Sequence, residues 1–358
     1  MKVARTAIVF TPKYYAHNTG PGHPETPGRL KVIIRELERL DMASSAEECK
    51  LVSPHLAGLK DLELVHTREH IDLVKRVCEH GGGLLDLGDT VVSSESYEVS
   101  RYAVGGVLDA VNLVLCKKFS NAFALVRPPG HHAGPYYATG FCLFNNVAVA
   151  AVHLLRRCGF ERVSIIDIDA HHGNGTQEIF YNTKKVLYVS LHEDPFDFPG
   201  TGFIDEVGEG EGSGYNVNIP FPFRVGDTAY LKAINEIVIP IVRQYAPQFV
   251  LVSAGYDGHF SDPVAKLSLS AVAYASFFEK ILHLASTLCE HRLVAVLEGG
   301  YNLKFLGGLV ALSISKMAGF SYPVGRGTPP LRSRADKQAE KVIKEVKDVQ
   351  SAFWDLAL

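Results

Sequence analysis

The sequence has no Cys-x-x-Cys pair, no apolar run near the ~18 residues a bilayer requires, and no surplus of basic charge. Each absence removes a class of protein. The six cysteines, Cys49, Cys78, Cys116, Cys142, Cys158 and Cys289, are scattered. Their even number would permit disulfides. Residues 1–10, however, carry Lys2 and Arg5 without the apolar stretch of a secretory signal. Reduced thiols in a cytoplasmic protein are the expectation. With 36 Lys+Arg against 39 Asp+Glu, the formal net charge is −3, so no basic surplus points to nucleic acid, although net charge says nothing about local patches. Neither nucleic acid nor a membrane is expected as a direct partner.

What is present is ordinary globular material. The chain has 358 residues, 47% hydrophobic and 21% charged. Short apolar runs at residues 122–126, 163–168, 186–191, 249–253 and 293–297 are rich in β-branched side chains and do not alternate with polar ones. They read as strands buried on both faces. Helical patterns lie between them at 146–158, 228–245 and 268–289. Alternating strands and helices predict an α/β fold, with a parallel sheet between two helical layers. Residues 326–334 are rich in Gly, Pro and Arg, and 335–349 form a charged helical pattern. The expected division is a main domain over 1–325 and a helical tail over 326–358. The tail is either packed on that domain, the preferred reading, or a separate interaction segment.

Ligands of such sheets gather beyond the carboxyl ends of the strands. Five runs here end in chemistry: Arg127-Pro-Pro-Gly-His131-His132, Asp167-Ile-Asp169-Ala-His171, Ser190-Leu191-His192, Ala254-Gly-Tyr-Asp257 and Glu298-Gly-Gly-Tyr301. Asp167, Asp169 and His171 recur at period two, so they share a side. Alone, such a run could cap a helix or close a turn. Next to the other strand ends it reads as a metal site. Asp169, His171 and a carboxylate from Asp257 suit Zn²⁺ and leave a position open for water. Fe²⁺ would fit the same donors. Adjacent His131 and His132, stiffened by two prolines, can hold different protonation states if their partners differ. Tyr301, swung inward after two glycines, can donate to a developing oxyanion.

With these residues assembled, the chain resembles the histone deacetylase and acetylpolyamine amidohydrolase superfamily over residues 5–320. The ordered motifs are His23-Pro-Glu-Thr-Pro-Gly-Arg29, the Arg127 to Ala133 run, Gly140-Phe141-Cys142, Asp167 to Thr176, Phe198-Pro-Gly-Thr-Gly202, Ser253 to Asp257, and Leu297 to Asn302. Asn174 stands where the first class of these enzymes carries Asp, which is similar to the class II and bacterial or archaeal branch. The resemblance implies a three-layer arginase/deacetylase-like fold with a mostly parallel eight-stranded sheet. It implies zinc on Asp169, His171 and Asp257, with His132 as general base and then acid. It makes His131 an electrostatic partner bonded to Asp167, Asn174 the residue that orients His132, and Tyr301 the oxyanion donor. Gly140, Phe141 and Phe198 would wall the substrate channel, Asp89 would hold the substrate at the rim, and Arg29 would line an acetate cavity. A structural K⁺ or Na⁺ would sit on Asp167, Asp169, His171, Ser190 and Leu191. A second such site would use Phe180, Thr183 and Val186, with Tyr215 nearby.

The expected reaction is zinc-dependent hydrolysis of an acetylated amine, with the acetyl-lysine side chain of a protein favoured. Acetylpolyamines or other small acylamines are the alternative. Val264 replaces the Glu that one polyamine-selective branch places after Asp-Pro, while His259 and Lys266 near the rim suit a neutral or anionic substrate. A non-catalytic acyl-lysine binding protein is disfavoured by Tyr301 and the two histidines. An arginase-like two-metal hydrolase is disfavoured because Gly258-His259 lacks the further carboxylate. An oligomer is allowed.

Overall fold

The computed structural model describes residues 6–42, 48–323 and 333–356. Its strands are β1 (Thr6–Val9), β2 (Cys49–Val52), β3 (Gly82–Leu84), β4 (Val91–Ser93), β5 (Asn121–Ala124), β6 (Val163–Asp167), β7 (Val186–Glu193), β8 (Asn216–Phe221), β9 (Phe249–Ala254) and β10 (Leu293–Leu297). Eight of them form one sheet in the order β2-β1-β5-β10-β9-β6-β7-β8. Every pairing within it is parallel. β3 and β4 form a separate antiparallel hairpin. The eight-stranded sheet expected from the resemblance is therefore present. Helices Ser96–Leu115 and Asn146–Arg157 pack together on one side, and Gly28–Arg39, Ala271–Leu288 and Leu306–Ala318 on the other.

Strands β5, β6, β7, β9 and β10 are buried at every residue, as their unbroken apolar runs require. Their register sets where the strand-end motifs emerge. Asp167 pairs with Ser190 on one side and Ser253 on the other, and Ser253 pairs with Val296. Four strands therefore reach their carboxyl ends at nearly the same level. The chain leaves β5, skips two places in the sheet to make β6, and fills the gap later with β9 and β10. That reversal opens the crevice in which the motifs meet.

One expected helix is broken. Residues 228–245 form Asp227–Ala233, a π turn at Ile234–Val238 and Ile239–Tyr245. Pro240 lacks an N–H, and its ring crowds the carbonyl four residues back, so the ladder widens by one residue. The charged C-terminal helix runs Ser333–Gln350. It lays Ala335, Ala339, Ile343 and Val346 into the main apolar cluster, beside β8 and Asp227–Ala233. The Gly/Pro/Arg stretch before it, and with it the boundary at 325/326, lies outside the described residues. Among the described residues, no helix is long and apolar enough to cross a membrane.

Asn145 ties a helix to the site. Its Oδ1 accepts from Ala148 N at 3.0 Å and caps Asn146–Arg157. Its Nδ2 donates to the carbonyls of His131 and Ala133 and to Thr176 Oγ1. Asn145→Ala removes the cap and takes from the buried Ala133 carbonyl its Nδ2 donor, while His131 O keeps Thr176 N. We expect a loss of about 2–4 kcal/mol in urea unfolding. A loss below about 1 kcal/mol would show that the loop holds itself.

Candidate metal centre and active site

Behind β6 the chain turns sharply, and its carboxylates hold the turn. Asp167 Oδ1 accepts from Asp169 N (3.1 Å), Asp169 Oδ1 from His171 N (2.9 Å), and Asp257 Oδ1 from Ala170 N (2.9 Å). Asp169 Oδ2 accepts from Gly299 N at 2.7 Å. The turn thereby gathers Asp169, His171 and Asp257, with one ligand atom from each within 4.8 Å of the others. His171 Nδ1 lies 3.0 Å from Asp257 Oδ2 and 3.3 Å from Asp169 Oδ1. Gly299 makes room, since a Cβ there would lie 2.5 Å from both Asp169 Oδ2 and Asp257 Oδ2.

Buried acidic groups and imidazoles perturb one another strongly here. Burial pushes Asp257 up to about 7, with the Asp169 charge adding to it. Burial would raise Asp169 as well, but His131 and His171 outweigh it and hold that carboxyl well below its usual range. Burial works against protonation of His171, yet the two carboxylates keep its pKa well above the ordinary value. Among the described residues, no Lys or Arg forms an ion pair with either carboxylate, so protonated histidines alone balance them. One imidazole nitrogen and two buried carboxylates fit a divalent ion such as Zn²⁺ and leave further positions open. A second group, His131, Cys142 and Glu298, also lies within 4.8 Å. There Glu298 Oε2 accepts from Gly130 N and His131 N, and Oε1 from Ser253 Oγ.

The two adjacent histidines have different partners. His131 Nδ1 donates to Asp167 Oδ2 at 3.0 Å. Burial opposes its charge, but Asp167 and Asp169 prevail and push its pKa up to about 10. His132 Nδ1 donates to Asn174 Oδ1 at 2.8 Å. Asn174 is oriented in turn by donating to Tyr137 Oη (3.1 Å), whose hydroxyl donates to Glu178 (2.8 Å). An amide cannot neutralise an imidazolium. Burial and the neighbouring His131 cation therefore drive the His132 pKa well below its ordinary value. Its Nε2 carries the lone pair. The rings lie 4.0 Å apart. One ring faces a carboxylate and the other an amide, which drives their protonation apart.

The residues expected to wall a channel lie near this pair. Gly140 has φ +55°, and a Cβ there would meet the His132 ring at 2.5 Å. Phe141 also has positive φ, 67°. Its N donates to Thr90 Oγ1, and its ring stands edge-on to His23 and Tyr301. Phe198 lies 5.0 Å from the His132 ring and 6.0 Å from His171, and is partly exposed. Asp89 is exposed at the rim, and its carbonyl accepts from His23 Nε2. Tyr301 is held by its backbone, where Asp262 Oδ2 accepts from Tyr301 N at 2.8 Å. Burial raises its phenol pKa well above the ordinary value, so it stays a donor. Arg29 is fully buried, with its guanidinium 5.0 Å from the Tyr301 ring and Nε donating to Gly300 O. Ser190 bonds His192 Nδ1 at 2.8 Å, and Leu191 is buried beside it.

Several working residues had no strong local signal. Glu25 bridges Arg29 and Arg127 in a fully buried cluster. Burial would raise its carboxyl, but the two guanidinium groups bring it down to about 2. Glu298 and Asp262 position backbone that carries His131 and Tyr301. Asn145, by contrast, precedes an apolar helical pattern and could have been found as a cap.

Comparison with known proteins gives a consistent result. Residues 23–317 match the model of the histone deacetylase domain family. The chain is 42% identical to a probable deacetylase of Archaeoglobus fulgidus, over 98% of each. It is 36% identical to the histone deacetylase-like amidohydrolase of Pseudomonas aeruginosa, over 93% of this chain and 90% of that one. The crystal structure of the HDA15 HD domain superposes with a TM-score of 0.87 at 34% identity, covering 98% of this chain and 95% of its own.

Proposed function

The chain belongs to the histone deacetylase family, and from that premise we propose that it is a zinc-dependent deacetylase that hydrolyses the amide of an acetylated amine. The observation that carries this reading is the pairing of a neutral His132, its tautomer fixed by Asn174, with the Asp169, His171 and Asp257 cluster beside it. Those three residues would hold the ion; Fe²⁺ suits the same donors. When bound, the ion supplies Lewis acidity to the acyl carbonyl and acidifies water.

The chain's own groups do the rest. Phe141 and Phe198 grip the alkyl arm of the substrate and exclude water around it. His132 Nε2 takes a proton from the attacking water. The Tyr301 hydroxyl donates to the oxyanion developing on the carbonyl. His131, held cationic by Asp167, adds positive charge next to that oxygen. His132 then passes its proton to the leaving amine nitrogen, and acetate can depart past Arg29. Asp89 at the rim holds the substrate backbone. A monovalent cation near Asp167, Asp169, His171, Ser190 and Leu191, a catalytic domain over 1–325 with a packed tail over 326–358, and a cytoplasmic setting complete the proposal.

Acetyl-lysine in a protein is the favoured substrate. Support comes from the 262–266 loop, where Val264 N is bonded to Asp262 Oδ1 and no acid replaces it to attract a polyamine. Lys266 Nζ neutralises Asp197 at 2.6 Å. The test compares zinc-loaded protein on an acetyl-lysine peptide, acetylspermidine and trifluoroacetyl-lysine. Tyr301→Phe is expected to lower kcat by about 10²–10³-fold. One zinc per chain with no turnover of any substrate would favour an acyl-lysine binding protein instead.

A further inference from the structure

The last residue of β7 is Glu193, and the proposed chemistry does not use it. Its carboxylate is buried, with the residue only 1% exposed. Its backbone N donates to Ala170 O at 2.8 Å, between the two ligands contributed by the β6 turn. Oε2 accepts from Lys266 N at 2.6 Å. Among the described residues, Oε1 has no hydrogen-bond partner. A buried carboxylate oxygen left bare costs free energy, so a donor should stand within reach.

An imidazole stands close to it. His171 Nε2 lies 4.0 Å from Glu193 Oε1, about 1 Å beyond a charge-assisted hydrogen bond. The other nitrogen of that ring, Nδ1, faces Asp169 and Asp257. A ligating histidine must present a bare nitrogen to its ion, which places its proton on the far one. An acceptor for that proton fixes tautomer and ring orientation together.

We propose that Glu193 is a positioning residue for the metal centre, its Oε1 accepting from His171 Nε2–H and so presenting Nδ1 to the ion. The inference rests on the reading of Asp169, His171 and Asp257 as metal ligands. The alternative is that Glu193 only anchors the loop through Lys266 N.

Glu193→Gln separates the two. The amide oxygen can still accept from Lys266 N, while the amide NH₂ then faces His171 Nε2 and offers no acceptor. Zinc affinity is measured by competition with a chromophoric chelator, and the melting temperature on chelator-treated protein. The expected result is a zinc Kd raised about 10–100-fold, with a metal-free melting temperature within about 3 °C of wild type. A variant that binds zinc as tightly as wild type overturns the role of Glu193 and leaves the metal reading standing. Wild type that binds no zinc overturns the metal reading itself. Should the variant not fold, ¹⁵N-histidine NMR of zinc-loaded wild type decides. A slowly exchanging Nε2–H on His171 supports the proposal, and rapid exchange with solvent overturns it.

Discussion

Asp257→Asn should abolish turnover and zinc-linked stabilisation together. The variant keeps the volume, and its amide oxygen can still accept from Ala170 N, as Asp257 Oδ1 does at 2.9 Å. It removes one of the two buried charges that a divalent ion would balance. At zinc concentrations 100 times the wild-type Kd, binding contributes about 2.7 kcal/mol of stability, and the variant should lose most of it. The same carboxyl gives the metal-free protein a pH signature. Its pKa is raised to about 7 from the ordinary 3.8, by burial first and Asp169 second. The folded state therefore binds more protons than the unfolded chain between these values. Through this group, metal-free wild type loses stability as pH rises from about 4 to about 7. Asp257→Asn lacks that loss, so its advantage over wild type should grow across the window. Urea midpoints of chelator-treated proteins at pH 5 and pH 8 measure the difference. Undiminished zinc binding would remove Asp257 from the ligand set. A constant gap between the two proteins would show that the carboxyl is not perturbed.

How far the sequence reaches depends on whether the cause is local. The central strands were legible because burial on both faces leaves an unbroken apolar run, and β6, β7, β9 and β10 all have one. The outer strands were not. β2 is partly exposed, and Asn216 and Asn218 interrupt β8 because both donate to Gln177 Oε1 beneath the sheet edge. The helix over 228–245 failed at Pro240, where the remedy was a π turn and not a stop. The same distinction governs the site. Asp167, Asp169 and His171 are neighbours in sequence, so composition exposes them, although β6 ends at Asp167 and a turn, not the strand period, gathers the other two. Glu25 acts through Arg127, 102 positions away, and Glu298 through Gly130, 168 away. Only the folded register, with Asp167 level with Ser190 and Ser253, makes those partners visible.

His132→Ala is expected to lower kcat by about 10²–10⁴-fold on an acetyl-lysine peptide while leaving zinc affinity within a few fold of wild type. The size follows from the two proton transfers assigned to one nitrogen, and the intact affinity from the separation of the His132 and His171 rings, 6.3 Å between centroids. The role also predicts which substrates suffer least. An alkylamine is a poor leaving group and needs the proton that His132 carries. An anilide of the same acetyl group leaves with far less help. The variant's deficit should therefore be much smaller on the anilide. Asn174→Ala should act in the same direction and more mildly, since it frees the His132 tautomer without removing the base. Equal losses on both substrates would exclude His132 as the acid and confine it to activation of water. A variant that retains wild-type kcat on the peptide would transfer both proton steps to another group. The adjacent imidazole is His131, its ring 4.0 Å from that of His132, and Asp167 holds it protonated with a pKa of about 10. A base in that state cannot accept the proton from water at neutral pH. The asymmetry between the two partners, a carboxylate on one imidazole and an amide on the other, therefore decides which histidine can work.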